Sequence, residues 1–205
     1  MKRAVWHNGW WRAARHVASP NCGARPEGAA ISLAVVHSIS LPPGQYGGDA
    51  VERLFTNRLD HGAHPYFAGL RGLRVSAHFF VRRDARVLQF VSCDARAWHA
   101  GASAWRGREQ CNDYSIGIEL EGLEGLTFEP AQYVALVQLL RSIARHYPIE
   151  AVLGHEHIAP GRKGDPGAGF AWAHLRRHLT WPTHAAAPIG VPRAMRGSPY
   201  EVRYR

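Results

Sequence analysis

The run ISLAVVH at residues 31–37 is the strand from which the rest of the chain can be read. It is apolar and β-branched, of strand length, and the turn sequence SLPPG (40–44) follows it closely. Further along, SIGIEL (115–120) predicts a second short strand. Ile116 and Ile118 lie on one face of it, and Ser115, Gly117 and Glu119 on the other. VSAHFFVR (75–82) and RVLQFV (86–91) flank Arg83-Asp84-Ala85 as a hairpin, and 149–153 form a strand running into Gly154-His155.

Helices alternate with these strands. After Gly47-Gly48, residues Val51, Leu54, Phe55 and Leu59 recur at helical spacing. The clearest helix covers about 128–146, with Tyr133, Leu136, Val137, Leu140, Ile143, Ala144 and Tyr147 as its apolar stripe. Thr127 is its expected N-cap, Pro130 sits in its first turn and Pro148 marks its stop. Residues 170–179 predict a last helix. The pattern is that of a single-domain α/β protein, a central mixed β-sheet flanked by helices. The domain is expected over 31–180, after an irregular lead-in (1–30) packed on it. A Pro- and Arg-containing tail (181–205) is expected to be disordered or loosely docked.

A length of 205 residues suits one domain, and 46% hydrophobic with 20% charged residues describes a folded chain rather than a disordered one. The formal charge of +9 favours acidic ligands. The basic residues are scattered, however, in pairs such as Arg82-Arg83 and Arg176-Arg177. No helix-turn-helix, zinc-finger or RNA-binding signature accompanies them, so nucleic acid is not the expected partner. Three cysteines without a C-x-x-C pair argue against a disulfide framework and a cysteine zinc cluster. No stretch has the length of a membrane span, and Trp, His, Asn and Gly interrupt the basic N-terminus. The expectation is a cytoplasmic protein with no membrane partner, a monomer by default.

Three signals carry chemistry. His37 ends its apolar strand, where a histidine is more often structural than a ligand. The loop GHEHIAPGRKGDPG (154–167) offers His155, Glu156, His157 and Asp165, with Arg162 and Lys163. It is not an H-E-x-x-H helix, because the fifth position is Ala159 and Pro160 would break the helix. A loop can instead bring His155 and Asp165 to one ion, since imidazole and carboxylate are ordinary zinc ligands. The plainer reading is a solvated polar turn. Glu119, on a half-buried strand, is either paired with a cation or a base beside a metal-bound water. Glu121 shares its face, and pattern alone does not separate the two.

The stretches VVHSISLPPGQYGG (35–48), HPYFAGL (64–70), LRVSAHFFVRRD (73–84), RAWHAG (96–101), GREQCNDYSIGIELEG (107–122) and GHEHIAPGRKGDPG (154–167) together resemble the type 2 N-acetylmuramoyl-L-alanine amidases. Within them the chain is most similar to the cytoplasmic recycling branch, which acts on 1,6-anhydromuramyl peptides. The resemblance implies zinc, one ion per chain, held by His37, His155 and Asp165. Many relatives carry Cys at the last of these positions. It also implies Glu119 as catalytic carboxylate, Lys163 as oxyanion stabiliser and a muropeptide as substrate. Tyr46, Arg74, Trp98, His99 and Arg108 are the implied substrate-binding residues; His78 and His157 are left outside the ligand set. Ser38 stands where relatives often have Asn, and Gln110 where close relatives have Arg. Two rivals remain on the same fold: an exported amidase acting on intact wall, and a binding module without catalysis.

Overall fold

The computed structural model describes residues 5–179 and 190–192. Its main sheet contains β1 (Arg15–His16), β2 (Leu33–Ile39), β3 (Phe79–Val81), β4 (Val87–Gln89), β5 (Ser115–Glu121) and β6 (Ala151–Gly154). The spatial order is β6-β2-β5-β3-β4-β1. Every neighbouring pair is parallel except the β3–β4 hairpin, so the sheet is mixed as expected. The helices are α1 (Ala50–Phe55), α2 (Pro65–Ala68), α3 (Pro130–Ala144), α4 (His155–Ile158) and α5 (Trp172–His178).

Alternation sorts the strand residues onto two faces. Ala34, Val36, Ile116, Ile118, Leu120 and Val152 join the stripe of α3 in the largest apolar cluster. Leu136 and Leu139 there are fully buried, and truncating such a leucine to alanine costs about 2–5 kcal/mol. On the other face the core is split. Leu33, Val35, Ala151 and Leu153 pack with Tyr114 and Ile158. Phe80 and Leu88 pack with α1 and Phe67 of α2. Between these two clusters the sheet presents polar side chains. The register sets them side by side, with Glu119 of β5 directly opposite His37 of β2.

Several expectations are corrected. The lead-in is not irregular: Trp6–His7 and Trp10–Trp11 pair antiparallel, and β1 joins the main sheet beside β4. The turn Asn8-Gly9 has φ of +47° and +72°, the left-handed pair that a two-residue hairpin demands. Thr127 is not the N-cap of α3. Glu129 holds that position, its N–H donating to Gln132 Oε1 at 3.0 Å. Of the tail, Gly190 is not loose. It bridges Ala151 at the outer edge of β6, and Val191 is buried. Apart from Gly190, Val191 and Pro192, the residues expected to form the tail lie outside the described residues. Among the described residues no helix is long and apolar enough to cross a membrane.

Candidate active site

Three adjacent parallel strands deliver the site at their C-terminal ends, where open α/β sheets commonly bind ligands. His37 is near the end of β2, Glu119 near the end of β5, and His155 is the first residue after β6. Asp165 arrives on the following loop, which is tied to α4 by the Glu156 N–H donating to the Asp165 carbonyl at 3.0 Å.

His37, His155 and Asp165 are all buried and converge. His37 Nδ1 is 3.0 Å from His155 Nδ1 and 3.0 Å from Asp165 Oδ2; His155 Nδ1 is 3.3 Å from the same oxygen. His155 Nε2 faces the Ala100 carbonyl at 3.0 Å and therefore carries the proton. Its Nδ1 is then a lone pair aimed at another imidazole nitrogen and a carboxylate. Such a group of acceptors fits a cation. A tetrahedral zinc with bonds of about 2.0–2.1 Å spaces its ligands about 3.3 Å apart, close to the separations seen.

The electrostatics agree. Burial, then the neighbouring His155, lower the His37 pKa to about 4, so its ring is neutral near pH 7 and able to ligate. Burial acts to raise the Asp165 carboxyl, but its contacts with the His155 and His37 imidazoles outweigh burial and hold it well below the carboxylate range.

The two candidate carboxylates are now distinguishable. Glu121 is fully engaged: Oε1 accepts from the Gly47 N–H (2.7 Å) and from Arg82 (3.4 Å), and Oε2 from the Arg83 N–H (3.0 Å). Glu119 Oε2 is buried without a hydrogen-bond partner among the described residues. Burial, then the Asp165 charge, push the Glu119 pKa well up, with Lys163 pulling the other way. Lys163 itself is exposed and lines the same cleft.

That cleft has a volume of about 450 Å³. The ligand trio, Glu119 and Lys163 line it, and Trp98 and His99 belong to its wall. Tyr66, Leu70, Leu73 and Leu123 are wall residues that pattern reasoning did not single out. Tyr46, Arg74 and Arg108 are not among the lining residues. Tyr46 lies under the Arg83 guanidinium, and Arg108 stacks on Tyr114, 3.9 Å from the ring centre. Ser38 lines the cleft with its buried Oγ unpartnered among the described residues. Gln110 is exposed at φ +58°, where the Ala104–Trp105 and Arg108–Glu109 hairpin leads into the Cys111–Asp113 turn.

Two nearby histidines are held in structural hydrogen bonds. His78 Nδ1 accepts from the Gly117 N–H at 3.0 Å and Nε2 faces the Ala95 carbonyl at 3.1 Å. Burial and Arg25 lower its pKa to about 3. His157 does point away from His155, but not because the backbone is extended. It belongs to the helical turn α4, where its Nδ1 accepts from the Gly154 N–H at 2.7 Å.

Comparison with known proteins gives the same outline. The sequence profile of the N-acetylmuramoyl-L-alanine amidase family matches residues 27–168. The 1,6-anhydro-N-acetylmuramyl-L-alanine amidase AmpD of Citrobacter freundii is 51% identical over 178 residues, covering 86% of this chain and 95% of that protein. The crystal structure of an AmpD selenomethionine derivative superposes with a TM-score of 0.84 at 50% identity, covering 86% of this chain and all of that one. A more distant structure is the amidase AmiD of Escherichia coli, solved with anhydro-N-acetylmuramic acid-L-Ala-D-γ-Glu-L-Lys as its substrate. It is 32% identical, with a TM-score of 0.55 over 77% of this chain and 62% of that one. The chain belongs to the N-acetylmuramoyl-L-alanine amidase family.

Proposed function

We propose that this protein is a zinc-dependent amidase that hydrolyses the bond between 1,6-anhydro-N-acetylmuramic acid and L-alanine in muropeptides, as a step of cell-wall recycling in the cytoplasm. The observation that carries the reading is the pairing of an acceptor-only trio, His37, His155 and Asp165, with the unpartnered Oε2 of Glu119 one strand away. The names of the relatives supply the substrate class. Three free cysteines, two of them buried, suit a reducing compartment.

His37, His155 and Asp165 would hold a zinc ion, which would supply Lewis acidity and lower the pKa of a water toward neutral. Glu119 takes the proton of the attacking water and returns it to the alanine nitrogen as the C–N bond breaks. Its raised proton affinity suits both transfers. Lys163, at the rim, offsets the negative charge that develops on the former carbonyl oxygen; one such donor is commonly worth about 3–4 kcal/mol. His37 stays neutral, and both histidines stay fixed. The net charge of +9 attracts the carboxylates of the stem peptide and speeds encounter.

The test is mass spectrometry of products from an anhydromuramyl tripeptide and its reducing-end counterpart. Stoichiometric zinc should give a free peptide amine and anhydromuramic acid. Chelation should stop the reaction and zinc should restore it. Intact anhydro substrate after prolonged incubation with zinc-loaded protein would overturn the proposal. Equal turnover of both sugars would shift it towards the amidases of intact wall.

A further inference from the structure

Both candidate histidine ligands lean on one dipeptide. His37 Nε2 meets His99 Nδ1 at 2.9 Å, and His155 Nε2 meets the carbonyl of Ala100 at 3.0 Å. That dipeptide is in turn held by a single atom. The backbone N–H groups of His99 and Ala100 both donate to Asn112 Oδ1, at 3.1 and 2.8 Å. Asn112 is buried and sits in the Cys111–Asp113 turn leading into β5. It is not among the residues lining the cleft.

We infer that Asn112 is a positioning residue for the metal site, setting the tautomer and orientation of both histidine ligands through His99 and Ala100. The inference rests on the metal reading above. Four features of the molecule are explained by it. With His37 Nδ1 turned to the trio, its Nε2–H donates to His99 Nδ1, and His99 Nε2–H passes to Ser115 Oγ at 3.2 Å. The His99 ring fits only because residue 117 is glycine. A Cβ there would lie 2.5 Å from His99 Cδ2 and 2.7 Å from its Nδ1. Arg25 locks the corner that carries Asn112. Its half-buried guanidinium donates to the carbonyls of Asn112 (3.1 Å), Asp113 (2.9 Å) and Ser115 (2.8 Å). Arg162 donates to the Ala100 and Ala102 carbonyls at 2.6 Å each, tying the loop of Lys163 and Asp165 to the same segment.

Hydrogen bonds to the distal nitrogen of a ligating histidine fix its lone pair toward the ion, and losing such a partner typically weakens metal binding about 10–100-fold. Asn112 governs two of them at once without touching metal or substrate.

The experiment is zinc affinity by chelator competition, with the visible spectrum of the cobalt-loaded protein and the melting temperature of the metal-free protein. Asn112→Ala should weaken zinc binding about tenfold or more and alter the cobalt bands. Asn112→Asp keeps an acceptor for both N–H groups and should hold zinc at least nearly as well as wild type. A merely architectural Asn112 would lower the melting temperature in Asn112→Ala while leaving zinc affinity and the cobalt spectrum unchanged. That result overturns the inference, as does an Asn112→Asp variant as weak as Asn112→Ala. Should Asn112→Ala fail to fold, His99→Ala decides, and wild-type zinc affinity in that variant overturns the inference. Failure of wild type itself to bind zinc would strike the metal reading instead.

Discussion

Replacing Glu121 by alanine and Glu119 by glutamine should have opposite consequences, although the two carboxylates share a strand and a face. Glu121 is buried beside Arg82, whose side chain is 8% exposed, and accepts two backbone N–H groups besides. Removing it leaves the guanidinium facing the Gly48 carbonyl at 2.8 Å and leaves the N–H groups of Gly47 and Arg83 without their acceptor. Breaking a buried pair from one side costs about 3–5 kcal/mol. A chain of this size loses about 2–4 °C of melting temperature per kcal/mol, so the expected drop is about 6–20 °C. Glu119→Gln removes a carboxylate whose buried Oε2 has no partner among the described residues, so the metal-free melting temperature should hold or rise. Its kcat should fall by about 100-fold or more through loss of the proton acceptor. Circular-dichroism melts and amide hydrolysis below the transition measure both. A Glu121→Ala melt within about 2 °C of wild type, where that pair alone predicts several degrees, would falsify the assignment, as would full activity in Glu119→Gln.

The pH dependence of the metal-free protein follows from the same carboxyl. Its folded pKa is raised above the ordinary 4.5, so ionising it costs the fold stability as pH climbs past 4.5, and the cost levels off above the folded value. Glu119→Gln should therefore gain on wild type above that pH and match it below; a constant gap across pH, read by urea titration, would contradict this. Lys163→Met should lower kcat by about 10²–10³ with the melting temperature unchanged, because Lys163 is exposed. An unaltered kcat would remove it from the chemistry. Gly117→Ala should displace the His99 ring, costing about 1–3 kcal/mol and weakening zinc binding; a variant that keeps both stability and zinc affinity would mean that the ring has another place to go.

Much of this was legible in the sequence because periodicity reports burial. ISLAVVH and SIGIEL each read as strands carrying His37 and Glu119 near their ends, and most of the α3 stripe was legible, although buried Ala135 and Leu139 were not part of it. The resemblance then named the trio that the fold brings together. What stayed hidden depends on contacts between distant segments. Nothing local in CND marks Asn112 as the holder of a dipeptide 12 residues upstream, or Arg25 as the anchor of a corner some 90 residues away. Choosing Glu119 over Glu121 needed Arg82 and Gly47, which only the fold supplies. The N-terminal hairpin is different. Asn8-Gly9 between aromatic residues carried a local turn signal, outweighed by the Arg-, Pro- and Gly-rich composition around it.

The contact of Gly190 with β6 bears on how the molecule behaves in a crowd. β6 is the outermost strand of the sheet on its side, short and apolar on both faces. Val152 N–H donates to the Gly190 carbonyl at 2.9 Å, and Gly190 N–H to the Glu150 carbonyl at 2.8 Å. Those bonds occupy polar groups that would otherwise template pairing with a strand of another molecule. A chain cut before Gly190 would keep its chemistry and lose this cover. Its defect would be edge-to-edge self-association that grows with protein concentration.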